Sequence, residues 1–384
     1  MYIIMFQISL FFILYLTSIE SWHNFNMFPR VIKSNHHTIS MSQHEYGKEY
    51  FNFYKKFKAP VVKISTNDSA YDDTFYDTFV EKNTQSYSLF KKNLERIQEV
   101  NKILENQNSS LVLDLNTYAD TIDFDDEYTS RDLMINPIQK PELNPFHYFK
   151  IFKDPIPYID NTINKIKFTR INWNDTGLLS PVKNQGSCGS CWAFSATSAL
   201  ETFMRSRGFP VNRLSEQELV NCSPNDYGCN GGMMHTAFEY IIENQGLYLE
   251  EHYPYVATTN NCSQPPFVSK AKGSQLKKYK YTIPNSIVDM KLSLLENPVS
   301  IAIDADNIYF RFYKDGIIDL PINVTKTLNH AVLLVGFDQD DEGEYWIIQN
   351  SWGEKWGQNG FCKIRIRPNE GVLLSQIYGV YPSD

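Results

Sequence analysis

The stretch PVKNQGSCGSCWAFS, from Pro181 to Ser195, carries the most reactive side chain pattern in the chain. Gly186 and Gly189 interrupt any helix ahead of Cys191, whereas WAFSATSALETFMRSR, from Trp192 to Arg207, has a helical pattern. Cys191 therefore falls in the first turn of a helix, facing unpaired backbone N–H groups and the positive end of the helix dipole. Both favour thiolate, the nucleophilic form; the alternative is that Cys191 is half of a disulfide. A nucleophilic cysteine needs a base and a group that orients the base. His330, in LNHAVLLVGF, follows 139 residues after Cys191, and Asn350, in WIIQNSWGEKWGQNGF, another 20 residues on. A lone histidine before an apolar strand is ordinarily a core residue. Beside an Asn-Ser-Trp-Gly turn and a helix-start cysteine it becomes a candidate base.

The elements that must position these groups are drawn from 384 residues, 42% hydrophobic and 21% charged, which is enough for two or three folding units. The net charge of −8 comes with no basic region, so no nucleic-acid partner is expected. Met1 to Leu16 is apolar apart from Gln7 and Ser9, too short and interrupted for a stable membrane span. With Thr17, Ser18 and Ser21 after it, the run reads as a secretory signal over residues 1–21; the alternative is an uncleaved anchor, since no Lys or Arg precedes it. All six cysteines lie in the second half, five of them within 75 residues, which predicts disulfides in an oxidising compartment. Sequons at Asn67, Asn108, Asn174, Asn221, Asn261 and Asn323 are compatible with a secreted glycoprotein.

Residues 22–66 are polar, and His23, His36, His37 and His44 match no metal-site spacing. This stretch is expected to be solvated and poorly ordered, and no metal or cofactor is expected anywhere in the chain. Ser69 to Asn106 has helical periodicity through Phe75, Phe79, Phe90, Leu94, Ile97 and Ile103, and Leu111 to Leu115 alternates like a short strand. Residues 136–157 hold five prolines and read as a linker or a surface strap. From about Lys167, helices at 192–207 and 215–220 precede strand-like runs VSIAID, HAVLLVGF, YWIIQN and GFCKIRI. Helices first and strands afterwards predict an α+β fold in two lobes.

The set QGSCGSCWAFS, LSEQELVNC, GCNGGMM, NPVSIAI, NHAVLLVGF and NSWGEKWGQNGF, spread from Arg170 to Pro382, resembles the papain-like cysteine proteases. The resemblance implies a papain-like two-lobed fold over residues 167–384, with a helical left lobe and a β-barrel-like right lobe. It implies Cys191 as nucleophile, His330 as its partner, Asn350 orienting His330, Trp352 shielding that contact, and Gln185 as an oxyanion donor. It further implies substrate contacts at Gly231, Gly232, Met234, Val299, Ala331, Trp352 and Tyr378, the pocket holding an apolar residue two before the cut. Disulfides Cys188–Cys229 and Cys222–Cys262 follow from the same resemblance. Cys362 is then left without the family's third bridge, either as a buried thiol or for intermolecular pairing.

Phe90, Asn93, Ile97 and Asn101 resemble the back half of the ERFNIN signature of cathepsin-L-type zymogens, with Ser86 and Lys82 at the front positions. Asp114, Asn116, Tyr118 and Asp120 resemble the second propeptide motif, with Asp in place of Gly and Tyr in place of Phe. This implies a mostly helical inhibitory propeptide over residues 67–166, with the 136–157 strap laid along the cleft in the reverse of substrate direction. Asp120, Asp123, Asp125 and Asp126 are either an acid trigger or a solvated acidic loop. The resulting expectation is a monomeric endopeptidase made as a zymogen for the exterior or an acidic endosome- or lysosome-like compartment. Its partners are protein and peptide substrates, its own propeptide and cystatin-type inhibitors. No His-bearing insertion follows GCNGG, which disfavours a cathepsin-B-like exopeptidase, and a transglutaminase-type acyl transferase lacks this surrounding sequence. The alternative is a catalytically silent binding or inhibitor protein, which would normally have lost Cys191, His330 or Gln185.

Overall fold

The computed structural model describes residues 41–58, 73–121, 170–210, 213–283, 286–319, 328–367 and 379–384. The signal segment, the proline-rich strap, Asp123, Asp125, Asp126 and Tyr378 lie outside the described residues. In chain order the N-terminal part contains α1 (Gln43–Phe57), α2 (Asp73–Lys82), α3 (Thr84–Asn106) and β1 (Val112–Leu113). The C-terminal part contains β2 (Ile171–Asn172), α4 (Cys191–Ser206), α5 (Glu216–Cys222), α6 (Met234–Glu243), β3 (Lys278–Tyr281), α7 (Ile287–Glu296), β4 (Val299–Ile303), α8 (Ile308–Arg311), β5 (Tyr313–Asp315), β6 (His330–Asp340), β7 (Gly343–Gln349), β8 (Phe361–Arg365) and β9 (Val380–Ser383). The fold is α+β as expected.

One expectation is corrected at the N-terminus. Residues 22–66 were expected to be poorly ordered, yet 43–57 form α1, because Tyr46, Tyr50 and Phe53 recur at helical spacing and are buried. Tyr50 and Phe53 each meet the Phe90 ring at 5.0 Å, and Phe51 meets Phe79 at 5.2 Å. Aromatic pairs at these separations add to the area they bury. The expected helix over 69–106 is two helices. Asn83 ends the first by donating Nδ2–H to Phe79 O at 2.8 Å.

Two asparagines of α3 clamp the strand that follows it. Asn101 donates to Leu113 O at 2.8 Å and accepts from Leu113 N at 2.9 Å, and Asn93 donates to Ala119 O at 2.9 Å. β1 then pairs antiparallel with β5, Val112 opposite Asp315 and Leu113 opposite Tyr313. A side chain at Gly316, where φ is +85°, would overlap the Ser110 backbone, so only glycine lets the two strands close. Asp120 does not lie in a solvated loop: it is 5% exposed and pairs at 2.8 Å with Lys58, just beyond α1.

In the C-terminal part, α4 is the axis of the core. Residues Cys191 to Met204 are all buried, packed against β6, α6 and β9. Among the described residues the strands run β3–β9–β4–β6–β7–β8, with β2 on β6, as an open sheet rather than the barrel-like closure expected. Every residue of β4 is buried, as are the first eight of β6, which explains their uninterrupted apolar sequences. Between β6 and β7 the register shifts at Leu334/Gly336: Leu334 faces Ile348 but Gly336 faces Ile347, so Val335 is a bulge. The disulfides are Cys188–Cys229 and Cys222–Cys262, and Cys362 is a fully buried free thiol whose pKa burial pushes well up.

Candidate active site

Cys191 opens α4, directly after Ser190. The backbone N–H groups of Ala331, Trp192 and Cys191 itself all favour a thiolate there, Ala331 N–H reaching Sγ at 3.3 Å. Burial opposes them and wins: the thiol is 1% exposed and its pKa is pushed up to about 12. In this closed form burial therefore acts on the thiol against the helix start. A helix terminus supplies a modest stabilisation, and loss of water outweighs it.

His330, the first residue of β6, is also 1% exposed. Its Nε2 is 2.8 Å from Asn350 Oδ1, which also accepts from Ser351 N at 2.8 Å. Accepting from a backbone N–H identifies that Asn350 atom as oxygen, so His330 Nε2 carries the proton and Nδ1 keeps the lone pair. Trp352 covers this contact: its ring is 4.8 Å from the imidazole and 5% exposed. Trp352 also meets the Tyr118 ring at 5.0 Å, and Asn116 Nδ2 donates to Arg311 O at 2.6 Å, so the second propeptide motif touches the ring that covers the histidine.

Burial lowers His330 to about 4, assisted by the Arg311 charge and opposed by the Asn350 bond. In the unfolded chain the same imidazole titrates near 6.5. Its contribution to stability is therefore present above pH 6.5 and lost as pH falls toward 4. The gap amounts to about 3 kcal/mol at 1.36 kcal/mol per pKa unit. Urea unfolding of the Cys191→Ala precursor at pH 7 and pH 4 is expected to show this loss. A His330→Gln version should lose about 3 kcal/mol less on acidification; equal losses in both would contradict the assignment.

Gln185 is held on both sides of its amide. Oε1 accepts from Ser351 Oγ at 2.7 Å, and Nε2 donates to Cys188 O at 2.9 Å. That leaves the second Nε2 hydrogen as a donor at the mouth of the nucleophile turn.

Met234 and Ala331 share one buried apolar cluster with Cys191. Val299 is buried but lies farther along β4, opposite Leu334 and against Gly379, and is not part of that cluster. Gly379 is the described neighbour of Tyr378. A Cβ on Gly232 would stand 2.6 Å from the Trp192 indole and 2.5 Å from Asp226 Oδ1, so the glycine is required by packing. Gly231 O is already bonded by Tyr227 N at 2.8 Å, while Gly232 is partly exposed with no backbone partner among the described residues. Gly232 is thus the better edge for an extended peptide.

Sequence reasoning missed the supports of this site. Lys183, two residues before Gln185, is 7% exposed and donates to Glu201 Oε1 at 2.6 Å and Glu216 Oε1 at 2.5 Å. Tyr255 reaches the Gln185 carbonyl from 70 residues away. Buried charges look like surface charges in a sequence, and no spacing rule flags them. Among the described residues no group of three or more His, Cys, Asp or Glu could hold a metal ion, and no helix is long and apolar enough to cross a membrane.

Residues 168–379 match the family described as papain family cysteine protease. The chain is 36% identical over 311 residues to a cathepsin L-like peptidase of Aedes aegypti, covering 79% of this chain and 88% of the relative. It is 39% identical over 241 residues to human cathepsin L2, covering 61% and 70% of the two chains. Among solved structures, digestive procathepsin L2 from Tenebrio molitor larval midgut superposes with a TM-score of 0.69 at 29% identity, over 88% of this chain and 99% of that one. The family match spans more than half of the chain and the relatives align along most of it: the chain belongs to the papain family of cysteine proteases and is a papain-like cysteine endopeptidase with a propeptide.

Proposed function

We propose that the chain enters the secretory pathway through residues 1–21 and is held inactive by residues 67–166, the catalytic domain beginning near residue 167. Release in an acidic or extracellular setting frees a monomeric enzyme that cleaves protein and peptide substrates and is open to cystatin-type inhibitors. The observation carrying this reading is the 2.8 Å His330–Asn350 bond beside a cysteine that opens a helix.

Once the site is wet, the Cys191 proton passes to His330 Nδ1, giving thiolate and imidazolium. Cys191 Sγ attacks the scissile carbonyl, and the oxygen takes the negative charge between the Cys191 N–H and Gln185 Nε2. His330 returns its proton to the departing amine as the C–N bond breaks, leaving a thioester. Water, losing a proton to His330, then hydrolyses that thioester and restores the thiol. Asn350 keeps the imidazole in the required tautomer, and Trp352 keeps water from the bond between them. Gly232, with Gly231 beside it, pairs with the substrate backbone. Met234, Ala331, Val299 and Tyr378 form the pocket for the residue two before the cut, without an acid to select a basic one.

The test is to shift secreted wild-type precursor and its Cys191→Ala variant to about pH 4.5 while following chain mass and cleavage of a peptide panel. Wild type is expected to lose its first ~165 residues and to cleave peptides with Leu or Phe at that pocket position over those with Arg. Processing without cleavage of any peptide in the panel would favour the silent binding protein instead.

A further inference from the structure

The Tyr255 hydroxyl bridges two backbone segments that flank the nucleophile. It is 2.8 Å from Gln185 O and 2.6 Å from Ser190 Oγ. A carbonyl can only accept, so Tyr255 O–H donates to Gln185 and the Ser190 hydroxyl donates to Tyr255. The direction of the relay is thereby fixed. Ser190 is the N-cap of α4, where a serine ordinarily bonds the N–H groups of the first turn. Here its side chain makes no capping bond, and Ala193 and Phe194 N–H turn to the Ser190 carbonyl at 2.9 and 3.2 Å. The hydroxyl has been diverted to Tyr255.

The tyrosine itself is braced. Its ring meets the Phe194 ring edge-on at 4.8 Å, one turn along α4 from Cys191. Its own N–H donates to Glu250 Oε1 at 2.9 Å, and Val256 N–H donates to Gln217 Oε1 at 2.9 Å. On the opposite side Gln185 N–H donates to Ser351 O at 2.9 Å. The Gln185 peptide is therefore tied at its carbonyl by Tyr255 and at its N–H by Ser351. Cys188 O closes the ring by accepting from both Gln185 Nε2, at 2.9 Å, and Ser190 N, at 2.8 Å.

We infer that Tyr255 is a positioning residue for peptide hydrolysis, its hydroxyl fixing the Gln185 amide at a set distance from the Cys191 backbone N–H. Those two donors are the ones that receive charge on the substrate carbonyl under the mechanism proposed above, on which this inference rests. Donors of this kind act by being in place before charge develops, so a hydroxyl that touches no substrate still affects the rate.

The test uses enzyme matured from the full chain, as wild type and as Tyr255→Phe, which keeps the ring and removes the bridge. Loss of a hydrogen bond of this type is expected to lower kcat about tenfold, with KM within about twofold. Alkylation of Cys191 by iodoacetamide provides the control. There the thiolate displaces iodide from carbon and no oxyanion forms, so its rate and pH profile are expected to match wild type. In a Gln185→Ala background, Tyr255→Phe is expected to cost less than about twofold, because the residue it positions is gone. An unchanged kcat overturns the inference. So does a parallel fall in alkylation, which would place the effect on the thiol or the fold, or an undiminished tenfold loss on top of Gln185→Ala. A wild type inert toward peptides yet alkylated at Cys191 would instead overturn the hydrolytic mechanism itself.

Discussion

Cys191→Ala is expected to lower peptide turnover by about 10⁶-fold, the scale on which serine proteases fail when the nucleophile is removed. The size follows from the geometry. No other described thiol is available, since Cys188, Cys222, Cys229 and Cys262 are in disulfides and Cys362 is fully buried. Neither His330 nor Gln185 can replace the covalent step; they only assist it. Because Cys191 lies in a packed cluster with Met234 and Ala331, the smaller side chain leaves a small void, and the folded state should survive. Cys191→Ser provides a second measure, retaining an acceptor for the Ala331 N–H while replacing the thiol by a hydroxyl that is far harder to ionise. Both variants, matured by added protease, are to be compared with wild type on one fluorogenic peptide at pH 5.5. Activity above about a thousandth of wild type in either would remove Cys191 from the nucleophile's role.

Lys183→Met is expected to destabilise the catalytic part by about 3–5 kcal/mol, the usual cost of stranding buried charge. Desolvation works against the Lys183 ammonium, yet Glu201 and Glu216 pull harder and its pKa is raised. Glu201 is 0% and Glu216 3% exposed. Desolvation raises the Glu216 pKa, with Lys183 opposing. Without the lysine, two carboxyl groups share a dry space, and Arg205 at 3.8 Å is a distant substitute. The thermal midpoint should fall by about 10 °C, taking roughly 2–4 °C per kcal/mol for a unit of this size. Adding Glu201→Gln and Glu216→Gln to Lys183→Met should recover most of that loss, since an uncharged set has nothing left unpaired. A single variant that melts within about 2 °C of wild type would show that the cluster is solvated in solution.

The parts of this architecture legible in the sequence are those that write a local pattern. The Gly186–Gly189 turn followed by a helical stripe places Cys191 within a residue of the observed start of α4. Apolar runs place β4, β6, β7 and β8 within a few residues of their ends. α1 also has a local pattern, with Tyr46, Tyr50, Phe53 and Phe57 spaced four, three and four, but the polar and His-rich composition around it masked the stripe. Lys183, Glu201, Glu216 and Tyr255 write no pattern at all. Their burial is created by chain segments that meet only in the folded state. The burial acting on Cys191 is hidden for a related reason, because helix position is local whereas access of water is set by everything packed around the site.

The bulge at Val335 has a consequence for the chemistry. Along the inner part of the β6–β7 hairpin, Leu333 faces Gln349 and Leu334 faces Ile348. Continued toward the site, that alignment sets His330 across from Trp352 and Asn350 across from Val332, so histidine and asparagine share one side of the ribbon as diagonal neighbours. Beyond the bulge the alignment is offset by one, with Gly336 facing Ile347. Were that outer alignment to run through unbroken, Asn350 would fall across from Leu333 and point away from His330, because each one-residue slip exchanges the two sides. Val335 therefore acts as the odd tooth that brings base and orienter into phase. What sets the phase is that β6 carries one residue more than β7 between the hairpin turn and the site; pairing that residue instead of bulging it would be a change of parity, and parity cannot be repaired by small adjustments of side chains.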